Sequence, residues 1–270
     1  MLDTLLNINP ERIAVTELFG AIGSPAKTTA YIRMLRAIEE NNRVRALVID
    51  IDSPGGSAGP SEYIFRSVER VARKKPVIAF VRGMGASGAY MVACGASKIV
   101  AVPMALVGSI GVISMRPMLY EAMDKLGVGM RVTKAGRLKD MFSSFREPTP
   151  EEQAKEQGLM DEVYSRFVEM VSEARGMEID RVRELATGEI FTAGQAKANG
   201  LIDELGDLDT AIDLAQGMAG LSERKISYLR PHRGLRDRLL NNATAGVVET
   251  MMNAIETKLL ERRIELRYRD

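Results

Sequence analysis

Apolar and polar residues fall into blocks along the first hundred positions, and the blocks alternate in period. RIAVTELFGAIG reads as a strand and turn, whereas TTAYIRMLRAIEENNRV sets Tyr31, Met34, Leu35 and Ile38 at helical spacing. VRALVIDID is a continuous apolar run closed by SPGG, the pattern of a strand buried on both faces. SEYIFRSVERVARKK returns to the helical period, PVIAFVRG is a second buried strand, AYMVACGAS a short helix and KIVAVP a further strand. Strand–helix–strand alternation with short connections predicts βαβ units and a largely parallel sheet, an α/β fold. Three glycine-bearing loops, DSPGGS, GMGASG and VGSIGV, follow predicted strands. Ligands usually sit at the carboxyl ends of such strands, so the three loops are expected to meet on one edge of the sheet.

Beyond residue 114 the pattern loosens. RPMLYEAMDKLG predicts a helix ended by glycine, MRVTKAG a strand, and RLKDMFSSFREPTP a polar, irregular loop. TPEEQAKEQGLMDEVYSRFVEMVSEARG predicts a long helix, capped by Thr149 and carrying glutamates in its first turn. GEIFTAGQAKANGLIDELG reads as turn, helix, turn and short strand. Residues 222–270 are rich in arginine, and Val247, Val248, Met251, Met252, Ile255 and Leu259 share one helical face. The expected organisation is a main domain over residues 1–220 and a basic, mainly helical extension over residues 221–270. That extension could expose its basic face to solvent, pack on a partner subunit or touch an anionic membrane face.

Composition narrows the chemistry. Of the 270 residues 46% are hydrophobic and 27% charged, and the net charge is +1, so no global basic field argues for nucleic acid. The single cysteine, Cys94, excludes a disulfide framework and reads as a buried structural thiol. The single histidine, His232, lies in the basic segment LRPHRGLRDR, far from the glycine loops. A zinc hydrolase normally draws on several histidines and a Ser-His-Asp triad needs this one, so neither is expected; no metal or cofactor is expected. The N-terminal MLDTLLNINPERIAV has neither a basic n-region nor a long apolar run, and the expected location is cytoplasmic or peripheral to a membrane.

GMGASG matches G-x-G-x-x-G through Gly83, Gly85 and Gly88, the outline of a dinucleotide-binding turn. That turn needs an acidic residue about 20 positions on, and Val71 to Tyr120 contains neither Asp nor Glu. The same stretch presents Ser87 among small residues, where a nucleophile can meet a carbonyl. The Gly88 N–H is then one oxyanion donor, and the paired glycines of SPGG can turn out a second. With the one histidine, His232, far from these loops, the natural base is a lysine held neutral by burial. Lys98, Lys125, Lys134 and Lys139 are all candidates on the residues alone. Ser24-Pro25-Ala26-Lys27 is a competing S-x-x-K, but it lacks companion S-D-N and K-T-G elements and its proline argues against the helix it requires.

DSPGG, GMGASGAY, VGSIGVI, the K-D of RLKDMFSSFREPTPEE and GEIFTAGQAKANGLIDELG stand in an order and spacing that resembles the signal peptide peptidase A (SppA) family. These are serine–lysine peptidases of the Clp/crotonase-like fold, and the resemblance runs from about Arg12 to Ala219. It implies Ser87 as nucleophile and Lys139 as general base, with Lys134 as the runner-up. It also implies Gly56 and Gly88 as the oxyanion hole and Ser109 as the residue orienting the base. Further implied are a homo-oligomer whose sites are shared between subunits and peptide substrates, either signal-peptide remnants or other short peptides. Many members carry an N-terminal membrane anchor, which this sequence does not display. Two rival readings on the same fold are a crotonase-like acyl-CoA enzyme and a non-catalytic assembly protein.

Overall fold

The computed structural model describes residues 11–231; His232 and the apolar helical face expected at Val247–Leu259 lie outside the described residues. Strands β1 (Arg12–Phe19), β2 (Val44–Ser53), β3 (Val77–Ala86), β4 (Lys98–Ala101), β5 (Leu106–Gly108), β6 (Ile190–Thr192), β7 (Glu204–Leu205) and β8 (Ile226–Leu229) build one sheet. Its order is β6-β5-β3-β2-β1-β8, with β4 beside β3 and β7 beside β4. All described pairings are parallel except β5 with β6. The helices are α1 (Pro25–Glu40), α2 (Ala58–Ala72), α3 (Gly88–Cys94), α4 (Tyr120–Lys125), α5 (Pro150–Arg175), α6 (Ile179–Leu185), α7 (Ala193–Ala198) and α8 (Leu208–Ala219).

The continuous apolar runs form central strands, as a sheet covered on both faces requires. In β2 only Arg45 and Asp52 are exposed. One face, with Leu47, Ile49, Ile51, Ala79 and Val81, belongs to the same buried core as Tyr31 and Leu35 of α1, Ile64 and Val68 of α2, and Phe167 and Val171 of α5. The other face, with Ile13, Val15, Val48, Ile78 and Phe80, packs under Ala211, Ile212 and Ala215 of α8. Together they give the α/β architecture with a largely parallel sheet that the pattern predicts. β8, at the outer edge beside β1, adds Ile226–Leu229 to this sheet, within the stretch expected to belong to the C-terminal extension.

Three local expectations differ from the structure. Helix α4 is only six residues long, and Met130–Gly136 forms no strand. Val128, Met130 and Val132 keep the period-two pattern, but each is about half exposed and no strand edge within the described residues pairs with them. Pro25, read as a helix breaker, instead occupies the first turn of α1 with Ser24 as its N-cap. Proline suits that turn because its missing N–H would have had no intrahelical partner. Among the described residues no helix is long and apolar enough to cross a membrane.

Candidate active site

The glycines of GMG belong to strand β3 itself. Ile78–Val81 pair with β4, while Met84–Ala86 pair with β5. Between them the register against β2 slips, from Ile51↔Val81 to Ser53↔Gly85, which is the extra length of a β-bulge. Asp52 closes the bulge by accepting the Met84 N–H at 3.0 Å, and a Cβ on Gly83 would lie 2.9 Å from the Asp52 carboxylate. The G-x-G spacing thus serves a strand that changes partner.

That change delivers β3 into Ser87, which ends the strand and caps the buried helix α3. Ser87 has φ 51° and ψ −123°, a conformation that costs an L-residue on the order of 1–3 kcal/mol. Its N–H donates to the Gly108 carbonyl at 2.7 Å, and its carbonyl accepts from Met91 at 2.9 Å. Its side chain makes no hydrogen bond among the described residues and is part-exposed. A strained residue between strand and helix, with its hydroxyl unengaged, is the geometry of a nucleophile elbow.

The other two loops abut this turn. A Cβ built on Gly55 would stand 2.6 Å from the Gly88 nitrogen and 2.9 Å from the Ser87 Cβ; one on Gly88 would stand 3.4 Å from the Gly56 nitrogen. Gly56 forms a parallel bridge with Ile22, between the bonds from Ile22 N–H to Gly55 O and from Ser57 N–H to Ile22 O, both 2.8 Å. The Gly56 amide has no acceptor among the described residues, and the Gly88 amide is one of the first-turn donors that a helix leaves unpaired. Ser109 follows the Ala86↔Gly108 pair directly, which sets it beside Ser87, and it is the other non-glycine residue with positive φ, also 51°. Its N–H donates to Glu189 O at 2.7 Å. Ser87, Gly56, Gly88 and Ser109 are therefore brought together, and the three loops share one edge of the sheet as the pattern predicts.

The turn tolerates no side chain at Gly56, where φ is +151° and a Cβ would lie 1.9 Å from the Ile22 carbonyl oxygen. Gly56→Ala is expected to cost roughly 3 kcal/mol, the upper end of ordinary overpacking, and to lower the melting temperature by about 6–12 °C. Thermal unfolding followed by circular dichroism checks this; an unchanged midpoint would mean that the turn yields easily.

Lys139 is not joined to this group. Its amine has no hydrogen bond or ion pair among the described residues, and its loop is exposed. Lys134 donates from Nζ to the Arg137 carbonyl at 3.0 Å and to the Asp140 carboxylate. Lys98 pairs with Asp203 at 3.0 Å. Burial pulls one other lysine, Lys75, down to about 8, but its amine donates to Ile38 O and Asn41 O at the end of α1, a helix-capping task. Ser24 Oγ accepts the Lys27 backbone N–H, so its task too is capping. Cys94 is buried, and burial pushes its thiol up to about 12. Among the described residues no three His, Cys, Asp or Glu side chains gather to hold a metal ion.

Sequence reasoning passed over a cluster at the foot of the Lys139 loop. Glu152, 3% exposed, completes a capping box with Thr149 at the start of α5 and accepts from Arg146. Arg146 first, and the Thr149 N–H second, push the Glu152 carboxyl down to about 2. Arg146 and then Lys134 hold Asp140 well below the ordinary carboxylate range. T-P-E-E was the available signal for the capping box; the convergence of Asp140 and Arg146 on it had none. A depressed carboxylate stabilises the folded form above its unfolded pKa, about 4 for both residue types, and that contribution disappears as pH falls through the folded value. Amide protection at Lys139 and Ser143, corrected for intrinsic exchange, is therefore expected to hold at pH 5 and fall between about pH 4 and pH 2. Equal protection across that range would rule the cluster out as the anchor of this loop.

A cleft of 820 Å³ opens between Val112–Met118 and Gln153, Glu156, Gln157 and Met160 of α5. Arg116 crosses its wall, pairing with Glu156 at 2.7 Å and lying over the Phe142 ring.

A solved structure of a serine-to-alanine mutant of the 1510-N membrane-bound stomatin-specific protease covers 83% of this chain and 100% of that one, with a TM-score of 0.52 and 18% identity, a likeness of fold. A family model for peptidase family S49 matches residues 69–222, more than half of the chain, and the chain belongs to that family. It is 39% identical over 196 residues to the putative protease MJ0651 of Methanocaldococcus jannaschii, covering 73% of this chain. It is 32% identical over 217 residues to the putative signal peptide peptidase SppA of Enterococcus faecium, covering 80% of this chain. The matched segment spans 63% of the length of each of these two relatives.

Proposed function

We propose that this protein is a serine endopeptidase in which Ser87 attacks a peptide carbonyl and Lys139 is the general base. The observation that carries the reading is the Ser87 turn: a strained serine between β3 and α3, its hydroxyl unengaged, flanked by the Gly56 and Gly88 backbone. In the acylation step the Ser87 Oγ forms a bond to the carbonyl carbon as its proton passes to a neutral lysine amine. The oxyanion is held by the Gly56 and Gly88 N–H groups. Collapse breaks the peptide bond, and the protonated lysine returns its proton to the leaving amine. Water, deprotonated by the same lysine, then releases the acid and restores Ser87. Ser109, the neighbour of Ser87 across the β3–β5 register, orients the lysine amine.

The base comes from a second copy of the chain. Supporting this, Ile113, Met115 and Leu126 are 75%, 83% and 77% exposed on the arm that carries Lys139, and Val128, Met130 and Val132 are each about half exposed beside them in sequence. Apolar surface of this extent calls for a partner, and a homo-oligomer would supply both the cover and the missing amine. The substrates are extended peptides with small or apolar side chains, signal-peptide remnants among them. Peptide hydrolysis by the wild type, set beside Ser87→Ala, tests the reading. A crotonase-like acyl-CoA enzyme would instead turn over acyl-CoA and keep its activity in Ser87→Ala; a non-catalytic assembly protein would do neither.

A further inference from the structure

Arg146 spends every donor it has on Asp140, Glu147 and Glu152, at the foot of the loop that carries Lys139. Nε donates to Asp140 Oδ2 at 3.0 Å, and Nη1 donates to Glu147 O at 3.1 Å and to Glu152 Oε2 at 2.8 Å. Nη2 donates to Asp140 O at 3.2 Å and to Glu152 Oε1. A guanidinium has five N–H donors in a fixed fork, and all five are placed. The anchor at the other end is rigid: Glu152 is 3% exposed and also accepts the Thr149 N–H at 2.9 Å, inside the capping box of the long helix α5.

The same network closes the loop that bears the lysine. Asp140, next in sequence to Lys139, is bound on its side chain and its carbonyl by Arg146, and its other carboxylate oxygen takes Lys134. Lys134 also donates to Arg137 O, and the Lys139 N–H donates to Gly136 O at 3.1 Å. The segment from Lys134 to Asp140 is thus staked at both ends with a turn between them. It has no strand or helix pairing of its own to hold it. Two consequences follow. The backbone under Lys139 is fixed while its amine is unengaged among the described residues. The nearest carboxylate in sequence is committed elsewhere and does not ion-pair with that amine.

We infer that Arg146, acting through Asp140 and anchored on Glu152, is the positioning residue that aims Lys139 at the Ser87 site. The inference rests on Lys139 being the base. A misplacement of about 1 Å in a reacting group can cost on the order of 10²-fold in rate, so a loop held only by side chains needs such a clamp.

The test compares kcat, KM and thermal midpoint for wild type, Arg146→Ala, Arg146→Lys, Asp140→Asn and Lys139→Ala on one fluorogenic peptide. The expected result is a kcat lowered tenfold or more in Arg146→Ala, with KM within about threefold and the midpoint within a few degrees of wild type. Arg146→Lys, which keeps charge but not the fork, should recover part of the loss, and Asp140→Asn should lower kcat in the same way. If Arg146→Ala does not fold, the near-isosteric Asp140→Asn decides. Wild-type kcat in Asp140→Asn, or in a folded Arg146→Ala, alongside an inactive Lys139→Ala overturns the positioning role and leaves the base intact. Equal falls of kcat and midpoint in both variants would make the cluster purely structural and overturn it too. Wild-type turnover in Lys139→Ala would remove the base assignment itself, and the positioning role with it.

Discussion

Ser87→Ala is expected to lower peptide hydrolysis by about 10³-fold or more, with the loss in kcat, while the protein melts within about 2 °C of wild type. The two halves of that expectation come from the same geometry. The hydroxyl makes no hydrogen bond among the described residues, so deleting it leaves no polar partner unpaired there. The strain of the turn is a backbone property, set by the Ser87 N–H bond to Gly108 O and by the Gly55–Gly56 backbone packed against Gly88, and alanine inherits it. What disappears is the atom that attacks. A variant that folds as well as the wild type and does not turn over separates a nucleophile from a residue that merely starts a helix. Any other outcome for the midpoint would mean that the side chain has a structural partner.

Lys139→Ala should be nearly as damaging, by about 10²–10⁴-fold, the range of a general base. Lys134→Ala should cost much less, because the Lys134 amine is engaged by Asp140 and by the Arg137 carbonyl. The sharper form of this prediction uses two inactive proteins. If Ser87 and Lys139 of one site come from neighbouring copies, co-assembled Ser87→Ala and Lys139→Ala chains rebuild complete sites. Random mixing in a closed ring restores roughly a quarter of them. Recovery of activity after co-expression or joint refolding, absent when either variant is alone, is the expected result. No recovery in a mixed assembly of proven composition would put both groups on one chain, or the base elsewhere.

The parts of the fold that were legible in the sequence are those with local signals. VRALVIDID and PVIAFV are continuous apolar runs, and they became the two central strands because only a strand covered on both faces uses such a run. The glycine loops announced a crowded edge, and Gly56 and Gly88 lie where a Cβ would strike backbone or a buried serine. The failures are equally physical. MRVTKAG has a strand's pattern but no neighbour within the described residues, and an unpaired strand is not stable in water. β6 and β8, three and four residues long, have too little pattern to be seen, and they exist because β5 and β1 offer them edges. Arg146 and Asp140 are ordinary charged residues in a polar loop, and only their shared approach to Glu152 makes them a unit. The choice of base among four lysines was never in the spacing; it came from a resemblance, and the Lys139 amine has no partner among the described residues.

The central claim is that Ser87 is a nucleophile activated by a lysine, and active-site labelling addresses it most directly. The wild-type protein, incubated with a fluorophosphonate across pH 6 to 10 and mapped by peptide mass spectrometry, should carry one adduct per chain, on the Ser87 hydroxyl. Labelling should be lost in Lys139→Ala at every pH. An adduct on another residue, or robust peptide hydrolysis with Ser87 unlabelled, would contradict the account.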